Sequence, residues 1–294
     1  MSRTLLAASI ALLFSVVPAW AQDADEGGTY GQVIANTEAA WVEPEGSTAT
    51  PEQIQEKATF FVGNIAWLTM HEFGHMAVSE FNLPVLGREE DGADSFATIN
   101  MIAEDSDPGL EEMITDVIDA WFTAGLYANN PWGEHSVDEQ RAYAVVCLLV
   151  GEDPEGWKEV ADDSEMPEKR QQGCAWEYKQ HKESWDNLLA EHELDEGEAP
   201  TGEISVVYED AGEFGTAGAL LQATGVLEQI GYDMEHRFKL TGPITISVEQ
   251  CGQANAFYVP NERKVKICYE LANFFLLKGQ QLHDADKTGT AEPQ

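Results

Sequence analysis

His71-Glu72-Phe73-Gly74-His75 places two imidazoles and a carboxylate at a spacing suited to metal-assisted hydrolysis. Residues four apart on a helix project from one face, so both rings can reach one ion with Glu72 beside them. A catalytic zinc takes three protein ligands and leaves a fourth position for water, whose pKa falls towards about 7, and a nearby carboxylate can take its proton. Glu72 is placed for that role. Two satisfied histidines on a core helix would read the same way, so the test of the pattern is a third ligand.

The extended metzincin arrangement requires Gly three and His six residues beyond His75, where this chain has Val78 and Phe81, and is excluded. A carboxylate is the other usual choice. Arg88-Glu89-Glu90-Asp91-Gly92-Ala93-Asp94 supplies one at the start of the next expected helix. Glu90 and Asp94 share a face, so Glu90 can bind the ion while Asp94 accepts the outer N–H of a ligating histidine and fixes its tautomer. An acidic first turn that complements the helix dipole explains Glu89 or Asp91, but not Asp94, expected on the buried side beside Ala93, Phe96 and Ala97. Helix phase read from sequence is good to a residue or two, so Glu89 is the next choice of ligand. Two histidines and a carboxylate also suit iron(II), but a glutamate directly after the first histidine favours hydrolysis.

The elements that must position these residues read as mostly helical. Phe61, Ile65, Leu68, Glu72 and His75 fall on one stripe of a helix that starts at Pro51 and stops near Asn82 to Pro84. Further helices are expected over 89–104, 110–127, 137–150, 165–189 and 217–230, and from Tyr269 onwards. Residues 22–50 lack sustained periodicity and read as an N-terminal arm. Residues 51–190 form the helical, metal-binding part. The acidic, glycine-rich stretch 191–215 reads as a linker with one strand-like run, Ile204 to Tyr208, ahead of an α+β part over 216–279 and a polar tail over 280–294. The apolar runs 244–248 and 264–267 flank Val259-Pro260-Asn261-Glu262, a turn with proline at its second position. Folding back there brings Cys251 to Cys268 and leaves Cys147 for Cys174. Zinc ligation by these cysteines is the competing idea, although no Cys-x-x-Cys pair exists.

Arg3, the apolar run Leu5 to Val17, and Ala19-Trp20-Ala21 before the first acidic residue form the pattern of a secretory signal peptide cleaved after Ala21. The run is shorter than the ~20 residues that span hydrocarbon, and no later stretch would span a bilayer. The product is expected in the periplasm or medium, where disulfides persist. In 294 residues, 53 Asp and Glu face 16 Lys and Arg, a formal charge of −37 that makes nucleic acid and anionic lipid poor partners. The acids otherwise read as a solvated surface, or as a preference for basic peptides.

Met70 to His75, followed by Leu83-Pro84-Val85-Leu86-Gly87-Arg88-Glu89-Glu90-Asp91-Gly92-Ala93-Asp94, resembles a bacterial metallopeptidase family catalogued as a domain of unknown function. The resemblance continues at Glu134-His135-Ser136, Gln140-Arg141 and Cys147, then at Asn255-Ala256-Phe257-Tyr258 and Cys268-Tyr269-Glu270-Leu271. More distantly, Glu90-x-x-Ala93-Asp94 is similar to the Glu-x-x-Ala-Asp element of the gluzincins, including the CaaX-processing and heat-shock membrane proteases. Those proteases cross membranes and this chain has no such spans, so their membrane substrates do not carry over. His135-x5-Arg141 is similar to the gluzincin His-x5-Arg element, although Ser136 stands where several members have proline. That resemblance implies an oxyanion-stabilising role for His135. Ser136 and Glu139 also read as a capping box that places His135 just before a helix, where it would be an ordinary surface histidine. Arg141 either orients a carboxylate or simply forms a salt bridge on an acidic protein.

Together these readings imply a helix-rich α+β chain of zincin-like, gluzincin fold with a C-terminal disulfide-linked β-hairpin. It would bind one Zn2+ through His71, His75 and Glu90 and hydrolyse peptide or protein substrates with Glu72 as base. Two alternatives fit the same residues: an exported interaction protein that keeps the scaffold without catalysis, and a zinc hydrolase of non-peptide amides.

Overall fold

The computed structural model describes residues 29–102, 107–123 and 132–282. The expected signal segment, the ends of the helices expected over 89–104 and 110–127, and the tail beyond residue 282 fall outside these residues. Helix α2 (Pro51–Glu80) is the axis of the fold. Thr50 caps it in a reciprocal box with Gln53, Pro51 occupies its first turn, and the chain leaves it at Asn82, whose φ of 52° is left-handed. From Lys57 to Ala77 every residue except His75 is buried. A helix apolar on all sides must be surrounded. Helices α1 (Tyr30–Ala40), α3 (Glu89–Ile102), α4 (Pro108–Thr123), α10 (Val226–Arg237) and α11 (Tyr269–Gln281) pack around it, with strand β3 (Ala256–Val259) against its C-terminal half. Its polar side chains are satisfied locally: Asn64, Thr59 and Thr69 donate to carbonyls one turn back, and Trp67 Nε1 donates to Thr98 Oγ1 at 3.1 Å.

Helix α5 (Asp138–Glu152) packs against α3, α4 and α8 (Cys174–Leu189), with the short α6 (Lys158–Asp163) and α7 (Glu168–Gln171) between α5 and α8. The sequence suggests one helix over 165–189. Pro167 instead disfavours helix at Met166, so α7 begins only after it, and Gln172 and Gly173 separate α7 from α8, which starts at Cys174. The helix expected over 217–230 likewise divides into α9 (Gly215–Thr224) and α10 at Gly225, whose φ of 72° suits glycine. Residues 30–40, read as part of an arm, form α1, with Thr29 as N-cap and Tyr30, Val33 and Ile34 in the core. Eleven residues with one narrow buried face leave little periodicity to detect.

The sheet has the order β1-β2-β4-β3, with β1 (Ile204–Tyr208), β2 (Ile244–Glu249) and β4 (Lys264–Cys268) parallel and β3 antiparallel to β4. Runs 244–248 and 264–267 are therefore not the two arms of a hairpin. The hairpin is β3–β4, and the additional reversal around 250–255 makes β2 and β4 run the same way. The disulfides are the expected pairs, Cys147–Cys174 and Cys251–Cys268. Cys251 follows β2 and Cys268 ends β4, so the two meet because parallel neighbours finish at the same end of the sheet. With all four cysteines in disulfides, none is left to ligate zinc. The strand expected inside the 191–215 linker is β1, and one apolar core runs from Tyr30 to Leu276 across that stretch. The chain is thus a helix-rich α+β protein. No helix among the described residues is long and apolar enough to cross a membrane.

Candidate metal centre

His71 and His75 occupy adjacent turns of α2, and Glu90 lies in the first turn of α3. The Nε2 atoms of the two rings are 3.2 Å apart, and Glu90 Oε2 lies 3.2 Å from that of His71 and 3.3 Å from that of His75. The opposite ring nitrogens face acids: His71 Nδ1 is 2.8 Å from Asp94 Oδ1, and His75 Nδ1 is 2.8 Å from Glu89 Oε1. Carboxylates at both Nδ1 atoms favour the tautomer that leaves Nε2 as a ligand. Donor atoms of His71, His75 and Glu90 all lie within 4.8 Å of one another, a group that could hold a metal ion. Imidazole and carboxylate suit a divalent cation.

The close approach of α2 and α3 depends on Gly74. A Cβ there would stand 2.9 Å from Ala93 Cα, and Ala93 lies between Glu90 and Asp94 in the chain. Gly74→Ala should therefore push α3 outwards, lower stability by about 1–3 kcal/mol through overpacking, and weaken metal retention. Urea unfolding and dialysis against a chelator measure the two effects.

Asp94 is buried, and Arg141 of α5 grips it through two hydrogen bonds, Nε to Oδ2 at 2.8 Å and Nη2 to Oδ1 at 2.6 Å. The guanidinium also lies 3.8 Å from the centre of the Trp121 ring. Burial pushes the Asp94 carboxyl up, but Arg141 and His71 outweigh it and hold the pKa down to about 2. Arg141 forms a buried salt bridge, and its partner is the carboxylate that faces His71.

His135 Nε2 lies 2.8 Å from Glu90 Oε2, so three imidazoles gather on one carboxylate oxygen. Burial opposes ionisation of Glu90, and the three rings reverse that, driving its pKa far below the usual range. For His75, burial is outweighed by Glu90, Glu72 and Glu89, and the pKa rises to about 9. The capping box expected at Ser136 does not form. Val137 is the N-cap of α5 without a side-chain cap, and Ser136 Oγ donates to Asp91 Oδ1 at 2.8 Å while accepting from Arg88 Nη1 at 3.1 Å. Charged side chains at and just before the start of α3 offer the hydroxyl stronger partners than a backbone N–H does. They also tether the His135 segment to α3.

Glu72 is buried, and burial raises its carboxyl pKa; His71 and His75 offset part of that shift, as does the backbone N–H of Tyr258. It faces a cleft of about 580 Å³ with His71, His75, Glu90 and His135 on one side and Ala256, Phe257 and Tyr258 of β3 on the other. β3 is one of the two edge strands of the sheet, and among the described residues no strand pairs with its outer side.

Of the seven side chains expected to make or support the site, His71, Glu72, His75, Glu90 and His135 line this cleft, and Asp94 and Arg141 lie behind His71. Sequence reasoning missed the contact of Glu89 with His75, which differs from direct ligation only by side-chain direction. The segment between Cys251 and Cys268, which the sequence suggests as the source of a strand edge beside the metal, does line the cleft through β3.

A family model described as "Putative metallopeptidase" matches residues 34–189 and 210–293. No curated protein and no solved structure matches the chain.

Proposed function

The chain belongs to this metallopeptidase family, and on that premise we propose that it is an exported zinc peptidase of gluzincin type. The observation that carries the reading is the meeting of two imidazole Nε2 atoms and one carboxylate oxygen from successive helices beside a buried glutamate. His71, His75 and Glu90 would hold the zinc, with Asp94 and Glu89 orienting the rings. A zinc ion there supplies a Lewis acid that polarises the substrate carbonyl and acidifies water. Glu72 takes the proton from the attacking water and passes it to the leaving nitrogen, a transfer favoured by a carboxyl pKa raised by burial. His135 donates to the carbonyl oxygen as negative charge develops on it. Arg141 fixes Asp94 and, through it, His71. An extended peptide can lie along the open edge of β3. Export with cleavage after Ala21 agrees with two disulfides, which persist in oxidising compartments.

Metal analysis of the purified mature protein tests this reading. About one equivalent of zinc per chain is expected, with zinc and peptide hydrolysis both lost in His71→Ala. Hydrolysis that survives complete metal removal would overturn it. Asp94→Asn should weaken zinc binding by about 10–100-fold. Glu89→Gln should cost less, because its side chain is 45% exposed against 9% for Asp94. Competition titration with a chromophoric chelator ranks the two variants.

A further inference from the structure

Residues 132–137 belong to no helix or strand, yet they carry His135 into the cleft. A functional group on such a segment keeps its geometry only with support from neighbouring side chains and elements. One support is α5. The N–H groups of Gln140 and Arg141 both donate to Val137 O, at 2.8 and 3.1 Å, and the Arg141 side chain is clasped to Asp94. A second support is the Ser136 side chain, next to His135 in the chain.

Ser136 Oγ lies between two charges of opposite sign, donating to Asp91 Oδ1 at 2.8 Å and accepting from Arg88 Nη1 at 3.1 Å. A hydroxyl suits both, because one oxygen can accept from a guanidinium while its proton goes to a carboxylate. Arg88 and Asp91 are three apart at the start of α3 and bracket Glu90 along the chain. The tether therefore ends on the same turn as the Glu90 oxygen that His135 Nε2 approaches at 2.8 Å. Two consecutive residues, His135 and Ser136, are thus fixed to one helical turn at separate points. The His135 ring is held 21° from parallel to that of His71, with the ring centres 6.3 Å apart.

We propose that Ser136 is a positioning residue, whose hydroxyl, shared between Arg88 and Asp91, holds the His135 ring in the orientation that aims Nε2 into the cleft. The kinetic consequence rests on the peptidase reading, in which His135 donates to the substrate oxygen; the structural one does not. A donor aimed at developing charge is most effective when nothing has to reorganise as that charge forms. Without the tether the ring samples other rotamers, and the donor is in place for only part of the time. Because His135 acts as charge develops, the loss falls on kcat rather than KM.

Labelling of histidines with diethyl pyrocarbonate, read residue by residue by mass spectrometry, and steady-state kinetics test the tether. Both are measured on the purified mature protein as wild type, Ser136→Ala, Ser136→Thr, His135→Ala and the Ser136→Ala/His135→Ala double variant. In Ser136→Ala, His135 should be acylated about fivefold faster, the effect of losing one exposed hydrogen bond, while His71 and His75 react as in wild type. The same variant should lose about fivefold in kcat, with KM and zinc content unchanged. Ser136→Thr keeps the hydroxyl and should recover most of both effects. In the His135→Ala background, Ser136→Ala should cost nothing further, because the tether then holds no donor. Unchanged labelling of His135 in Ser136→Ala, equal acceleration at all three histidines, or a further fall in kcat in the double variant would each overturn the proposal. A wild-type chain that cleaves no peptide counts against the peptidase reading, and labelling still decides the tether.

Discussion

Replacing Glu72 with glutamine should lower kcat by about 10²–10⁴-fold, the usual worth of a positioned general base, while zinc content stays at the wild-type level. Glutamine keeps the shape of the side chain, but it cannot take a proton. Glu72 is not among the three side chains whose donor atoms converge, so metal retention should be unaffected. Peptide turnover and metal analysis on the same preparation separate two outcomes. Activity lost with metal kept supports catalysis by Glu72. Biological activity that survives the substitution would point instead to a binding protein built on the same scaffold.

Arg141→Leu should destabilise the chain by about 3–5 kcal/mol, because it strands the buried Asp94 carboxylate without its main partner. Asp94 accepts two hydrogen bonds from Arg141, and the guanidinium also lies 3.8 Å from the centre of the Trp121 ring, so both charge and packing are lost. The effect depends on pH with a defined sign. The folded pKa of about 2 is below the ordinary aspartate value of about 3.9. The stabilisation is therefore full above about pH 4 and fades as pH falls towards about 2. The gap between wild type and variant should be widest near neutrality and narrow over that acid interval. Urea midpoints at several pH values measure it, and a gap that widens in acid would contradict the assignment.

The parts of this site that could be read from sequence are those governed by helical spacing. His71, Glu72 and His75 lie on one helix whose cap, Thr50-Pro51 with Gln53, and whose exit, Asn82 to Pro84, are local signals. Glu90 and Asp94 could be phased because Ala93, Phe96 and Ala97 mark the buried face of α3. Glu89 was harder. It is next to the ligand in sequence, and only the position of the His75 ring determines that it meets Nδ1. Ser136 carried a valid capping signal that lost to Asp91 and Arg88, partners supplied by another helix. Strand order was illegible for a related reason. The run 264–267 suits an antiparallel or a parallel neighbour equally well, and only the reversal around 250–255 decides that β2 lies parallel to β4. Arg141 reads as a surface cation until Trp67 and Trp121, far away in sequence, enclose it.

The burial of α2 has a consequence for how the protein fails. Catalytic groups carried on loops can loosen at little cost and leave a folded but inactive body. Here the helix that carries His71, Glu72 and His75 is the spine of the interior, with neighbours on every side over most of its length. Such a segment belongs to the most cooperative unit of a chain, the last to open short of complete unfolding. Partial disorder of His71, Glu72 and His75 is therefore as costly as melting the whole molecule. Residual turnover under denaturing stress should report the surviving native fraction.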